Sequence, residues 1–204
     1  MVKNRKFVAY GLASAAASGG LFAYISDAPF VFIELFEFSD KQFGWLFGLS
    51  ACGVIGASQV NRFVLQSKSS KYVSLVSVVG QSIVTALLVG AVAAGVSPTG
   101  IIVLIIGYLI GVGFLSPNTT AIAIEPFTRN AGTASALMGS MQMAAGAIGS
   151  ALVSYFHNGT VMPMAVLLLF SSLLSLMLQF GYKRIGKNSV DENLERETDP
   201  TAGL

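Results

Sequence analysis

The sequence predicts an all-α membrane protein of six transmembrane helices with both termini in the cytoplasm, and three observations predict it. Of the 204 residues, 53% are hydrophobic and only 11% are charged, less than half the roughly 25% charge of an ordinary globular chain. Six apolar windows occupy nearly the whole chain, each close to the roughly 20 residues needed to cross the hydrocarbon core. Once those windows are threaded, eleven of the twelve Lys and Arg residues fall on one side, which the positive-inside rule assigns to the cytoplasm. A mean hydropathy of +0.70 agrees. This balance excludes a soluble enzyme. The net charge of +2 is too small to suggest nucleic acid. A single cysteine, Cys52, excludes a disulfide framework or a cysteine-based metal cluster.

The windows are residues 7–36, 43–65, 72–94, 100–124, 131–156 and 161–182, so that 1–182 read as one six-helix bundle. Residues 183–204 read as a polar cytoplasmic tail, disordered apart from a frayed helix around 193–197. Lys3, Arg5 and Lys6 precede the first window, and the apolar run after them continues to Phe36. That is too long for the core of a secretory leader, so the segment reads as a membrane helix that is not cleaved. Arg62, Lys68 and Lys71 flank the second connection, Arg129 lies in the fourth, and Lys183, Arg184, Lys187 and Arg196 follow the last window. Lys41 alone lies opposite, among Glu34, Glu37 and Asp40.

Within the first window, Asp27 precedes Pro29 by two residues, and Gly20, Tyr24, Asp27, Val31 and Glu34 share one helical face. A charge in lipid costs about 2.5–3.5 kcal/mol on insertion scales and by default faces a cavity or a partner. Two readings stand: a protonation or cation site in a water-filled cavity, or a hydrated carboxylate near the headgroups that caps a broken helix. Pro29 removes a backbone donor and crowds the carbonyl of Ile25, which predicts a kink or local unwinding. The third window places Ser74, Ser77, Gln81 and Thr85 at helical spacing. The fourth ends in Ser116-Pro117-Asn118-Thr119-Thr120, a proline-broken polar patch that reads as a helix interruption on a pathway or as a packing kink. The fifth carries Gly132, Ser135, Gly139, Gln142, Gly146 and Gly149, a small-residue stripe of the kind that lets membrane helices pack closely. Gln142 interrupts it with an amide that needs a partner or a cavity. Gly44–Gly48 and Gly107–Gly111 repeat the spacing in two other windows.

Glu125 and Arg129 are spaced for a helical ion pair, but Pro126 lies between them, so they read as a charged hinge or interfacial anchor. Cys52 reads as a small core residue, and His157, beside Asn158 and Gly159, as a solvated loop histidine. Asn158-Gly159-Thr160 matches a glycosylation acceptor, a pattern that Asn118-Thr119-Thr120 repeats inside a window and that therefore carries no weight. With one histidine and one cysteine there is no material for most catalytic constellations, a metal site or a bound cofactor.

The segments Ser26-Asp27-Ala28-Pro29-Phe30-Val31, Gln42-Phe43-Gly44-x-x-Phe47-Gly48 and Gly56-Ala57-Ser58-Gln59-Val60-Asn61 resemble the C-terminal half of Bcr/CflA-type drug efflux transporters. The resemblance is densest at Pro117-Asn118-x-x-Ala121 and Ala131-Gly132-Thr133-Ala134-Ser135-Ala136-Leu137-x-Gly139, and it covers 3–184. These transporters belong to the major facilitator superfamily, with twelve helices in two halves and transport usually driven by proton antiport. The resemblance implies that Asn61–Arg62 copies the loop motif that latches the inner side, and that Asn118 and Gly132 flank a hinge. Asp27 departs from the family pattern, where a small or neutral residue is expected. The first half, which usually holds the principal acidic coupling residue, has no counterpart among these six windows.

The expectation is therefore the C-terminal half of a proton-coupled multidrug or small-molecule exporter in the bacterial inner membrane. It would work with a six-helix N-terminal half or as a homodimer, because alternating access needs two bundles around one site. Tyr24, Gln81, Asn118 and Gln142 would line the cavity for a lipophilic or cationic substrate, with Asp27 as a proton or cation contact. Pro29, Pro117, Gly132, Gly139, Gly146 and Gly149 would serve packing and hinging, and Asn61, Arg62, Glu125 and Arg129 inner contacts. The alternative is a non-transporting remnant of a split or truncated transporter, or a membrane interaction module.

Overall fold

The structure is a computed structural model that describes residues 4–198, with side chains described through Tyr182. Lys3 and the end of the tail, 199–204, lie outside the described residues. Six helices account for almost all of the rest: α1 (Arg5–Pro29, continued by a π-helical segment Phe30–Leu35), α2 (Asp40–Val64), α3 (Ser70–Ala93), α4 (Pro98–Ile124), α5 (Ala131–Tyr155) and α6 (Met162–Thr198). Each is long and apolar enough to cross a membrane, α6 over Met162–Tyr182.

Local chemistry sets the helix ends. The Asn4 side chain accepts from the Lys6 and Phe7 amides at 3.0 and 3.1 Å, satisfying donors that the first turn of α1 leaves free. Ser39 and Gln42 form a reciprocal capping box at the start of α2, and Ser69 caps α3 by accepting from Tyr72. Gly95, at φ 67°, ends α3 in a left-handed turn in which the Val96 amide bonds back to the Ala91 carbonyl. Pro98 opens α4 at a position where its missing N–H costs nothing. α6 continues past Tyr182 to Thr198, where the sequence suggested a disordered tail with a short frayed helix. No glycine or proline interrupts 187–198.

α1 is the centre of the bundle. It packs against α4, α5 and α6, while α3 lies on α4 and α6, and α2 on α4. The main core joins Tyr24, Val31 and Phe32 of α1 and its π segment to Tyr108, Leu109 and Val112 of α4 and Met164 and Leu168 of α6. A second cluster, Phe7, Tyr10, Ile122 and Met138, closes the Arg5 end. Gly149 fits directly against the Gly19 backbone, and a Cβ on Gly146 would lie 2.8 Å from the Phe22 ring, so α1 and α5 approach as closely as their backbones allow. The small-residue stripe of α5 therefore divides: a methyl group at Gly132 or Gly139 would meet nothing within 4 Å.

The helices differ sharply in how much they bury. Half of the apolar window of α1 is buried but only 11% of that of α2. The outward side of α2 includes Trp45, Leu49, Ile55 and Phe63, and a methyl group added at Gly44, Gly48 or Gly56 would meet nothing within 4 Å. Cys52 also lies there, exposed. Its reading as a core residue is corrected, because α2 meets the bundle only along the Ser50–Ala57–Asn61 side.

Candidate functional site

The two prolines behave differently. Pro117 does not interrupt α4, which is helical throughout 98–124. A proline at 117 deprives the Gly113 carbonyl of its helical donor. The Ser58 hydroxyl of α2 lies 2.9 Å from that carbonyl and 3.0 Å from the Val54 carbonyl, so its one proton is shared between them. The approach is possible because residue 113 is glycine: a Cβ there would lie 2.5 Å from the Val54 oxygen. Thr119 bonds back to the Leu115 carbonyl at 3.0 Å, and the Asn118 amide nitrogen to the Phe114 carbonyl at 2.7 Å. The expected helix break is thus absent because side chains satisfy the backbone that the proline would expose.

At Pro29, by contrast, none of the described side-chain bonds reaches the Ile25 carbonyl. The helix widens instead into the π-helical turn Phe30–Leu35, where the Phe36 amide bonds five residues back to Val31. Asp27 lies one turn before this segment. Its side chain is only 7% exposed, one oxygen is 3.7 Å from His157 Nδ1, and the other oxygen has no hydrogen-bond partner. His157, in the α5–α6 connection, is 40% exposed and is held edge-on by the Phe30 ring at 4.3 Å. His157 is an exposed loop residue, as expected, and the fold of α5 back along α1 also brings it to Asp27. Asp27 itself is buried among the helices.

The remaining polar residues are distributed over separate helix contacts and do not converge on one cavity among the described residues. The Tyr24 hydroxyl meets Ser50 Oγ at 3.4 Å beside a cavity of about 260 Å³ between α1 and α2, lined also by Phe47, Val54 and Leu109. Gln81 is buried where α3 meets Gly111 of α4, and neither its amide nitrogen nor its amide oxygen has a partner. It borders a groove of about 390 Å³ with Gly80, Gly107 and Phe114. Gln142 donates to Ser14 at 2.8 Å across the α1–α5 seam. Asn118 donates to Asn61 at 2.8 Å, leaving its own oxygen unpartnered. Asn61 is accordingly a buried residue of α2 and not a loop contact, whereas its neighbour Arg62 is exposed in the last turn.

Beyond α4, Glu125 pairs with Lys6 at 2.6 Å and not with Arg129. The hydrogen bond from Lys6 and its charge hold the Glu125 carboxyl below the usual glutamate range. The sequence singled out Glu125, Asn61 and Asn118 without pairing them correctly, and it passed over Ser58 and Ser50. Nothing local marks those serines, because their partners lie on other helices. No group of three histidine, cysteine or acidic side chains is placed to hold a metal among the described residues.

Six membrane-crossing helices packed around α1, with polar side chains buried between them, define a multi-pass protein of the plasma membrane. Its homologues are transporters of the major facilitator type, a class that is generally not enzymatic. Over 194 residues the chain is 29% identical to YdgK of Bacillus subtilis, described as an uncharacterized MFS-type transporter, covering 93% of the chain and 47% of that protein. It is 30% identical over 165 residues to a bicyclomycin resistance protein homolog of Haemophilus influenzae (79% of the chain, 41% of the relative). Over 148 residues it is 28% identical to the multidrug transporter MdfA of Escherichia coli (70% of the chain, 35% of the relative). The chain thus spans less than half the length of each of these relatives. No family model matches the sequence.

Proposed function

We propose that this chain forms the C-terminal six-helix half of a proton-coupled exporter of lipophilic or weakly cationic small molecules. A second six-helix bundle completes the site, whether in continuation of the same polypeptide, on another chain or as a second copy. The observation that carries this reading is the pairing of a little-buried α2 with glycines at which an added methyl group would meet nothing within 4 Å. Lipid-facing helices have no need of glycine, whereas Gly44, Gly48 and Gly56 on α2 and Gly132 and Gly139 on α5 suit the close approach of other helices. The resistance and multidrug transporters among the relatives support the substrate class. In this reading Tyr24 and Gln81 contact substrate and Asp27 takes the coupling proton. Asn118 and Gln142, already bonded to Asn61 and Ser14, keep neighbouring helices in register. Both termini face the cytoplasm, by the distribution of basic residues.

The test is efflux of a lipophilic dye from cells producing the chain with and without a second bundle. Efflux is expected only with both, and Gln81→Leu or Asp27→Asn is expected to lower it about tenfold, the worth of one good polar contact. Efflux indifferent to both substitutions removes the assigned site. No efflux with any second bundle favours a membrane interaction module over a transporter.

A further inference from the structure

Asp27 and His157 are the only carboxylate and imidazole brought within ion-pair distance of each other among the described residues. The carboxylate is buried, the imidazole is exposed with its Nδ1 towards Asp27, and Phe30 stands edge-on to the ring. We propose that the two form a single proton site: two linked bases, one buried and one facing solvent, that take up and pass on a proton as a unit. The inference deepens the coupling role given to Asp27 above and rests on that reading only for its use in transport.

The surroundings favour such a pair. A buried carboxylate with an unsatisfied oxygen is costly unless it is neutralised or bonded. Neither α4, α5 nor the membrane part of α6 carries a charged residue. Their titratable groups near this half of α1 are Tyr108, buried beside Gly20, and Tyr155, exposed at the end of α5. On α1 itself, Tyr24 is engaged by Ser50, and Glu34 and Glu37 are exposed on and beyond the π turn. Asp40 and Lys41 open α2 at the same end and are also exposed. His157 is thus the group left to balance Asp27.

The transfer balances simply. Solvent protonates the imidazole, and the imidazolium Nδ1–H then passes its proton to an Asp27 oxygen. The products are a neutral imidazole and a carboxylic acid, with the net charge of the pair unchanged by the internal step. At 3.7 Å the two atoms are beyond hydrogen-bond length, so transfer requires closure to about 3 Å. The π turn that begins three residues after Asp27 supplies a backbone segment able to make that movement.

Because His157 is the only histidine of the chain, its protonation can be read without assignment. Diethyl pyrocarbonate acylates neutral imidazole, so its rate at His157, followed by mass spectrometry on the full chain in detergent or nanodiscs, reports the neutral fraction. In mildly acidic buffer, Asp27→Asn is expected to raise the rate about tenfold, because the carboxylate that shares the pair's proton 3.7 Å from Nδ1 is gone. In alkaline buffer the difference is expected to close. The control Glu34→Gln is expected to leave the rate unchanged. Equal rates for wild type and Asp27→Asn at every pH would overturn the proposal. A ratio that stays constant with pH would overturn it too, by showing that Asp27 merely packs the ring. An equal effect from Glu34→Gln would overturn the assignment to Asp27. The measurement needs no transport, so a failed efflux assay leaves it intact.

Discussion

The two ends of the bundle hold the same ingredients, a proline inside a helix and a carboxylate facing a basic side chain, and put them together in opposite ways. Towards the Arg5 end, Pro117 costs α4 nothing visible, because Ser58 reaches the exposed Gly113 carbonyl, and Glu125 meets Lys6 at 2.6 Å in the open. At the other end, Pro29 is followed by a π turn, and Asp27 is buried with one oxygen unpartnered and the other 3.7 Å from His157. One end has its backbone polar groups answered by side chains. The other keeps an unmet carboxylate beside a loosened helix, and unmet polar groups beside irregular backbone are where function is best sought. A proline in a membrane helix is therefore not a hinge in itself. The neighbouring helix decides, by offering or withholding a donor.

The largest expected effect follows from giving Pro29 back its amide. Pro29→Ala restores a donor to the Ile25 carbonyl and removes the ring clash, so the π turn should tighten towards α-helix. Hydrogen exchange over 25–35 is expected to slow about tenfold, as local opening becomes costlier. The same change at Pro117 should leave exchange around Gly113 nearly as it was, because that carbonyl is already bonded. Equal slowing at both prolines would abolish the distinction between the two ends.

A smaller effect isolates the donor itself. Ser58→Ala leaves the Gly113 carbonyl without its bond and is expected to cost about 1 kcal/mol, typical of polar contacts between membrane helices. In a Pro117→Ala background the helix supplies its own donor, and the cost of Ser58→Ala should fall to less than half. Thermal unfolding of the four proteins in detergent completes the cycle. Additive costs would show that Ser58 acts through packing alone.

How much of this was legible in the sequence divides along the same line. The six helices were, because each is a long apolar run, and at the starts of α1, α2 and α3 the capping residues Asn4, Ser39 and Ser69 carry further information locally. The prolines were visible too, but their consequences were not. Whether Pro117 breaks α4 depends on Ser58, fifty-nine residues earlier, and no spacing rule links the two. Asp27 was noticed for its charge, and its partner was missed because His157 lies in a polar connection where a histidine normally meets water. Cys52 was misjudged for the converse reason. An apolar helix in lipid gives no periodicity to separate its buried side from its exposed one, since both sides are apolar. The candidate residues of the spans were found because a polar group in an apolar run is conspicuous, but their grouping depends on helix packing that the sequence does not spell out.

The smallest effect sharpens the comparison of the two carboxylates. Glu125 titrates below the ordinary glutamate value of 4.5 because Lys6 bonds and faces its charged form. A carboxylate held down in the folded state stabilises fully above its unfolded value and loses that contribution as pH falls through its folded one. The melting difference between wild type and Glu125→Gln should therefore be constant near neutrality and shrink progressively below pH 4.5. Because the Glu125 side chain is 65% exposed, solvent screens the pair, and the difference should be small at any pH and vanish in roughly 1 M salt, where the Debye length is about 3 Å. Salt should have far less influence on the diethyl pyrocarbonate contrast at the Asp27 end, where the carboxylate is buried. If salt erased both effects alike, the two pairs would be equivalent surface contacts, and the functional weight placed on Asp27 would have to be withdrawn.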